Sequence, residues 1–185
     1  MGMLSSIFGS KQNINDVYFE PRLNQNIKKV GSLVNNKPDG EWFWYYENGQ
    51  VWRQEDYKNG LLQEKQTTYH QNGNKNGERN YLNGKIEGKC YLYHSNGNIK
   101  NEVICQNDKR NGEHIEYYED GKIKFKMNFI NEEMSGDFIW YHPNGNLREE
   151  CNFKRNKKNG KICQYYQSNE KLMVEFQVTD GQIDD

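Results

Sequence analysis

The sequence predicts an all-β fold, an elongated single-layer antiparallel meander of about six β-hairpin repeats of 24 residues each. Three observations predict this fold. A short motif recurs at a fixed interval, each interval holds two turn signals, and the residues between the turns alternate in polarity. The copies of the motif start at Tyr45, Tyr69, Tyr93, Tyr117, Tyr141 and Tyr165. A fixed period of this kind is typical of repeat proteins, so the function has to be sought in the repeat.

The two turn signals of a repeat lie about half a repeat apart. The first is Asn48-Gly49 with its copies, and in the last copy Asn169 takes the glycine column. Asparagine is the next residue after glycine that tolerates positive φ, as such turns require. The second signal weakens along the chain, through Asn59-Gly60, Asn83-Gly84, Asn107-Asp108, Asn131-Glu132 and Arg155-Asn156. Two turns leave two segments of about six or seven residues, a usual strand length.

We call the residues at one position of successive repeats a column. The length of the first loop decides which columns share a face of the sheet. A two-residue loop at Asn48-Gly49 would set odd positions of one strand opposite even positions of the next. A three-residue loop with Gly49 in the left-handed region would set Tyr45 opposite Val51. The apolar columns that begin at Phe43, Tyr45, Val51 and Tyr57 share one face only with the three-residue loop, which we therefore expect. We name the side that carries the Tyr45 column the tyrosine face, and its rings are predicted to form the thin core of the sheet.

The other side, named the opposite face, is predicted to be wetter and to bind a partner protein. By alternation it receives all four tryptophans, three histidines and a mostly acidic column. Partly exposed aromatic side chains are typical anchors of protein interfaces. The predicted partner-binding residues are Trp42, Trp44, Tyr46, Trp52, Gln54, His70, Glu78, His94, Glu102, Tyr118, Trp140, His142 and Glu150.

The period also defines the organisation of the chain. The predicted segments are an N-terminal extension or cap at 1–17, a degenerate first repeat at 18–39, the repeat array at 40–175 and a C-terminal tail at 176–185. A glycine opens each clear repeat except the one that begins at Glu64. The N-terminus matches a myristoylation pattern at Gly2, but this pattern is short and common, so a frayed terminus or a small cap is the simpler interpretation.

Composition argues against several classes of function. The net charge is −1, which gives no electrostatic case for nucleic acid as a partner. No apolar run approaches the ~20 residues of a membrane helix, and the lysines are scattered, so membrane binding is not expected. Neither a signal peptide nor a disulfide framework is evident, and we expect a cytoplasmic protein whose four cysteines are reduced.

The sequence also holds no pattern typical of a metal centre or an active site. His94 and His142 lie two repeats apart in one column, which places them about 19 Å apart in a sheet. Two ligands of one zinc ion lie within roughly 4 Å of each other. The neighbouring carboxylates of Glu149 and Glu150 point to opposite faces of a strand. We therefore expect no bound metal, no cofactor and no enzymatic activity.

The repeat unit resembles the MORN repeat, through the pattern Gly-x₄-Tyr-[Tyr/His]-x-Asn-Gly, an apolar residue two positions on, and then Tyr/Phe-x-Asn-Gly. From about Asn35 to Met173 it is similar to the variant found in bacterial antitoxins of the YwqK family. The resemblance implies stacked hairpins that bind a partner, and specifically an immunity protein or antitoxin that neutralises a cognate protein toxin by steric occlusion. The alternative that it implies is a membrane-associated or protein-scaffolding module. Open sheet edges would also permit edge-to-edge self-association.

Overall fold

The computed structural model describes residues 11–21 and 25–184, and within them every regular element is a β-strand. The chain divides into two compact units, residues 1–85 and residues 86–185. Inside each unit, successive strands of six residues or more pair antiparallel with one another. The predicted all-β meander of hairpins is therefore confirmed. The myristoylation pattern at Gly2 lies outside the described residues.

The strands of the first unit are β1 (Lys11–Glu20), β2 (Gln25–Val34), β3 (Lys37–Pro38), β4 (Gly40–Tyr45), β5 (Val51–Lys58), β6 (Leu61–Tyr69) and β7 (Lys75–Leu82). The short strand β8 (Lys85–Ile86) lies at the boundary between the units. The strands of the second unit are β9 (Gly88–Tyr93), β10 (Ile99–Gln106), β11 (Lys109–Tyr117), β12 (Ile123–Ile130), β13 (Glu133–Met134), β14 (Gly136–Tyr141), β15 (Leu147–Lys154), β16 (Lys157–Tyr165), β17 (Leu172–Thr179) and β18 (Gln182–Ile183). β1 and β17–β18 therefore occupy parts of the segments for which an N-terminal cap and a C-terminal tail were predicted.

The first loop of the repeat has the predicted three-residue form. The N–H of Gly49 donates to the carbonyl of Tyr46 at 2.9 Å, and the N–H of Tyr46 donates to the carbonyl of Gln50 at 2.7 Å. Gly49 has a φ of 85°, and Tyr45 lies opposite Val51. The prediction of a three-residue loop with Gly49 in the left-handed region is therefore confirmed.

The second loop keeps one geometry although its sequence changes. Both central residues have positive φ, as in a type I′ turn, with values of 51° and 85° at Asn59-Gly60 and of 50° and 67° at Arg155-Asn156. Where glycine is lost, the residue in its place accepts a hydrogen bond from the preceding repeat. The Oδ1 atom of Asn156 accepts from the N–H of Met134 at 2.7 Å, and that of Asp108 accepts from Ile86 at 2.8 Å. The weakened turn signal is thus compensated by a side-chain hydrogen bond.

A β-bulge beside the first loop changes which columns share a face. Tyr45 lies opposite Val51, but Trp42 lies opposite Glu55, so the second strand contains one extra residue. The extra residue reverses the alternation of the rest of that strand. Tyr57 consequently shares the opposite face with Trp42, and the two ring centroids are 6.3 Å apart. The predicted grouping of the Tyr57 column with the Tyr45 column was wrong for this reason.

The buried core of each unit lies on the opposite face. In the first unit Ile27 is fully buried, and Trp42, Trp44 and Tyr46 surround it. In the second unit the buried side chains are Cys151, Ile162 and Val178, against which Phe138, Phe153 and Phe176 pack. All six tyrosines of the Tyr45 column are only partly buried. The expectation that they form the core was therefore wrong, because the bulge moves the apolar column of Tyr57 to the other face.

The last of the first-type loops is one residue longer than the others. Tyr165 pairs with Leu172, seven positions on, whereas the equivalent pair in the preceding repeat is six positions apart. The left-handed residue of this loop is Glu170, with a φ of 55°. Asn169 instead accepts a hydrogen bond from the N–H two residues on, at 3.1 Å. The expected replacement of the loop glycine by Asn169 was therefore wrong, and Leu172 takes the apolar position.

Candidate functional site

The structure divides the predicted partner-binding residues between the two faces. One set shares the opposite face: Trp42, Trp44, Tyr46, Trp52, His70, His94, Tyr118, Trp140 and His142. The other set shares the tyrosine face: Gln54, Glu78, Glu102 and Glu150. The second assignment follows from the pairs Phe43–Gln54, Thr67–Glu78, Tyr91–Glu102 and Ile139–Glu150, in which both residues point to one side. The bulge therefore separates the acidic column from the tryptophans with which we had expected it to lie.

The first tryptophans of the predicted site belong to the core of the first unit. Trp42 and Trp44 are 5% and 6% exposed, and their ring centroids are 6.0 Å apart. The indole N–H of Trp42 donates to the carbonyl of Ser32 at 3.1 Å. Side chains that are buried and satisfied in this way offer little area to a partner.

Within each unit, side chains in the column of Tyr46 link a hairpin to the one that follows. The hydroxyl of Tyr46 donates to the carbonyl of Tyr69 at 2.6 Å, and the hydroxyl of Tyr118 makes the same bond at 2.8 Å. His94 and His142 place Nε2 at 3.1 and 3.2 Å from the equivalent carbonyls. Since a carbonyl can only accept, Nε2 carries the proton in both histidines. Burial raises the pKa of Tyr46, so its hydroxyl remains protonated and able to donate.

The other two tryptophans of the predicted site are covered by arginine side chains. The guanidinium of Arg53 lies 4.9 Å from the ring centroid of Trp52, and that of Arg148 lies 3.6 Å from the ring centroid of Trp140. The indole N–H of Trp140 is buried and has no hydrogen-bond partner among the described residues. These cation–π contacts shield both rings from a partner.

The tyrosine face of the second unit carries a partly exposed apolar strip. Its four column tyrosines are all partly buried, and so are the residues two positions before the first three of them. The strip consists of Tyr91, Tyr93, Ile115, Tyr117, Ile139, Tyr141 and Tyr165. Neighbouring tyrosines of the column lie about 9.5 Å apart, two strand spacings. The strip therefore presents regularly spaced aromatic side chains that are partly open to a partner.

Charged side chains border the strip on the same face. Lys89 donates to the carboxylate of Glu102 at 2.5 Å, and Lys161 lies 2.7 Å from Glu175. The hydroxyl of Tyr165 donates to Glu150 at 2.6 Å, and this hydrogen bond raises the pKa of that tyrosine. The strip is therefore edged by carboxylates whose positions are fixed by lysine or tyrosine neighbours.

Two shallow depressions lie beside the strip and share Asp137 and Ile139. One encloses about 420 Å³ and is also lined by Glu150, Lys161 and Cys163, among others. The other encloses about 390 Å³ and extends towards Glu113, Lys126 and Asn128. Such depressions, lined by the apolar side chain of Ile139 and by carboxylates, can receive side chains of a partner.

Within the residues that the structure describes, no cluster of His, Cys, Asp and Glu has the geometry of a metal site. All four cysteines are buried thiols. Burial raises the pKa of the Cys151 thiol to about 11, so this sulfur is not a thiolate at neutral pH. No helix in this part of the chain is long and apolar enough to cross a membrane.

Sequence reasoning missed Tyr91, Ile115, Ile139 and Asp137 as candidate surface residues. It recognised the columns of the first three, but it assigned them to the core. The signal that could have corrected this was the predicted three-residue loop itself. A loop that ends in a left-handed glycine is accompanied by a bulge, and a bulge reverses the alternation beyond it.

Four segments of the chain match the family model of the MORN repeat variant, at residues 38–59, 86–106, 110–131 and 134–155. The hairpin of β6 and β7 and the hairpin of β16 and β17 lie outside the matched segments, although they pair in the same way. The first has Glu64 at the glycine position, and the second contains the longer loop. A search among curated proteins gives no match. MORN repeats are therefore present, and they indicate a repeat-based binding or scaffolding module.

Proposed function

We propose that this chain is a cytoplasmic antitoxin or immunity protein whose tyrosine face binds and occludes a cognate toxin. The observation that carries the proposal is the partly buried strip of tyrosine and isoleucine on the second unit. Tyrosine is enriched among the residues that dominate binding energy, because a large ring with few rotatable bonds loses little entropy on binding. The antitoxin assignment itself rests on the resemblance of the repeats to those of bacterial antitoxins.

The rigidity of the hairpins supports a mechanism of steric occlusion. The strip lies on paired strands rather than on loops, and Tyr118 and His142 tie successive hairpins together through backbone carbonyls. A surface that is already ordered loses little conformational freedom when it binds. A partner is then covered by a preformed sheet, and the sheet does not need to fold around it.

The charges beside the strip indicate which partner surface fits best. Asp137 and Glu150 line one depression, with Lys161 at its edge. Glu102 stands in the same column as Glu150, although Lys126 interrupts the column between them. A toxin that acts on nucleic acid carries a basic cleft, and carboxylates placed around an aromatic strip would complement that cleft.

The test compares two variants in the second unit. Tyr117→Ala/Tyr141→Ala removes the centre of the strip, and Leu92→Ala is the matched control, since Leu92 lies on the opposite face and is 41% exposed. Each tagged protein is used to capture partners from the source cell lysate, and its thermal unfolding is measured to verify folding. The captured protein is then expressed alone and together with the chain, and growth is recorded.

The expected result is one stoichiometric protein that binds the wild type and the Leu92 variant but is lost with the tyrosine variant. That protein should arrest growth when expressed alone, and co-expression of the chain should restore growth. A captured protein without toxicity would overturn the antitoxin assignment and leave a scaffolding module. A partner that binds the tyrosine variant unchanged would overturn the assignment of the tyrosine face.

A further inference from the structure

Within the described residues, strand β17 is paired along its length on one side only. β16 pairs along one side of it, and β18 pairs only with its last two residues on the other side. Residues 172–176 have no second neighbouring strand in the described part of the chain, and the carbonyl of Gln177 accepts from the N–H of Asp184 at 3.0 Å. Leu172, Met173 and Val174 are 49%, 48% and 40% exposed. An exposed apolar edge of this kind is a template for the backbone of another strand.

The last hairpin also lacks the side-chain hydrogen bond that joins earlier hairpins to the strand that follows them. In earlier repeats the ring that follows the column tyrosine bonds to a carbonyl at the end of the next first strand, as Tyr118 does with Tyr141. Tyr166 occupies the same position in the last hairpin. It is 51% exposed, and its hydroxyl has no partner among the described residues. A strand placed along β17 would supply the missing carbonyl.

Strand β1 presents the complementary edge. Among the described residues it pairs only with β2, and it does so in the register of the first strand of a repeat. Ile14 lies opposite Gly31, in the place that Trp42 takes opposite Glu55, and it packs against the same core. Within the described residues, the side of β1 away from β2 therefore has no paired strand, and the side of β17 away from β16 has none before Val178.

The register of the missing pair follows from the pairs inside the chain. Each second strand meets the next first strand with the same two columns opposite each other. The recorded pairs are Lys29–Trp44, Arg53–Thr68, Asn101–Glu116, Phe125–Trp140 and Glu149–Gln164. Val174 belongs to the column of Arg53, because it lies opposite Gln164. Asp16 belongs to the column of Trp44, because it lies opposite Lys29.

We propose that β17 of one copy pairs with β1 of a second copy, with Val174 of the first opposite Asp16 of the second. The contact joins two different surfaces, so it is heterologous and links copies head to tail. Assemblies formed by this contact, as open chains or closed rings, contain more copies as the concentration rises. The contact does not depend on the proposed toxin or on the tyrosine face.

A disulfide between copies tests the register. Residues directly opposite each other in an antiparallel pair have Cα atoms about 4.5–5.5 Å apart, which is within the range that a disulfide spans. The Asp16→Cys protein and the Val174→Cys protein, carrying tags of different size, are mixed and mildly oxidised. The four native cysteines are buried and give the background. Leu92→Cys replaces Val174→Cys in the control mixture, since the two side chains have similar exposure, 41% and 40%.

The expected product is a mixed cross-link of one Asp16→Cys chain with one Val174→Cys chain, absent from the Leu92→Cys mixture. Light scattering of the native full chain should show an average mass that rises with concentration. Met173→Lys/Val174→Lys should reduce that mass, because charge on an edge strand opposes strand addition. A native chain that stays monomeric at every concentration would overturn the proposal. Cross-links between two Val174→Cys chains alone would overturn the head-to-tail register.

Discussion

The two loops of the repeat both hold residues in the left-handed region, but they tolerate different sequences. The first loop repeats Asn-Gly or Asp-Gly from 48–49 to 144–145, with φ values of 85° at Gly49 and 98° at Gly145. The second loop changes from Asn59-Gly60 to Arg155-Asn156 and keeps positive φ throughout. Backbone geometry alone therefore does not decide how strictly a loop sequence repeats.

The difference lies in where the side chains of each loop bond. In the first loop Asn144 accepts from the N–H of Asn146 at 3.1 Å and donates to the carbonyl of Gln167 at 2.9 Å. One side chain thus closes its own loop and reaches the next repeat. In the second loop the backbone makes the equivalent link, since the N–H of Asn156 donates to the carbonyl of Met134 at 3.0 Å. A contact made by the backbone leaves the side chain free to change.

The largest expected effect is at the ring that begins the first loop. Tyr46→Ala removes a buried ring and should lower the free energy of unfolding by about 3–5 kcal/mol. Tyr46→Phe keeps the ring and removes only the hydrogen bond to Tyr69, so it should cost about 0.5–1.5 kcal/mol. Urea unfolding of both variants checks this. Equal losses would show that the hydroxyl, rather than the ring, dominates.

A smaller effect is expected at the glycine of the first loop. Gly121 has a φ of 86°, and a Cβ atom added there meets no atom within 4 Å. Gly121→Ala therefore suffers only from backbone conformation and should cost about 1–2 kcal/mol. Gly121→Asn should recover part of that loss, since asparagine tolerates this region. The measurement is the melting temperature of the wild type and the two variants. Equal melting temperatures for the wild type and Gly121→Ala would contradict this prediction.

At the second loop, two replacements of Asn156 should separate the cost of backbone strain from the contribution of the side-chain hydrogen bond. Asn156→Gly relieves the positive φ of 67° but loses the hydrogen bond to Met134, so its net effect should be close to zero. Asn156→Ala loses the bond and keeps the strain, and it should cost about 1 kcal/mol or slightly more. The measurement is the urea midpoint of each variant. If Asn156→Gly destabilised the protein as much as Asn156→Ala, the lost hydrogen bond would outweigh the relieved backbone strain.

The smallest effect concerns acid. Glu132 takes the second-loop position of Asn156, and hydrogen bonds from the backbone and side chain of Arg110 lower the pKa of its carboxyl. Between the folded and the unfolded pKa the unfolded chain binds more protons. The stabilising contribution is therefore complete above the unfolded value, about 4.3 for a free glutamate, and is lost as the pH falls below it. Glu132→Gln should remove part of the acid dependence of the melting temperature. Asn156→Asp is the comparison variant, because it places a titrating carboxyl in a second loop whose native residue, Asn156, does not titrate.

The sequence predicted the hairpins, the period and the geometry of the first loop, since these depend on local residues such as Asn48 and Gly49. It did not predict the faces, because a single extra residue beside the loop reverses the alternation for Glu55 and Tyr57. Strict alternation of side chains, counted from Tyr45 across the loop, cannot detect that extra residue. Nor could a fixed period detect the longer loop before Leu172, where Asn169 imitates a loop glycine in the wrong position. The partner-binding role of Trp42 and the other predicted residues stays a prediction.

That longer loop shows how each hairpin sets its own register. Despite the added residue, Gln164 lies opposite Val174, and Val178 is still 4% exposed in the core. The insertion is absorbed between Tyr166 and Lys171, where a hydrogen bond of 2.9 Å closes the loop. A change in loop length is therefore confined to one hairpin. Over evolution, such loops can gain residues that contact new partners while the strands on both sides keep their pairing.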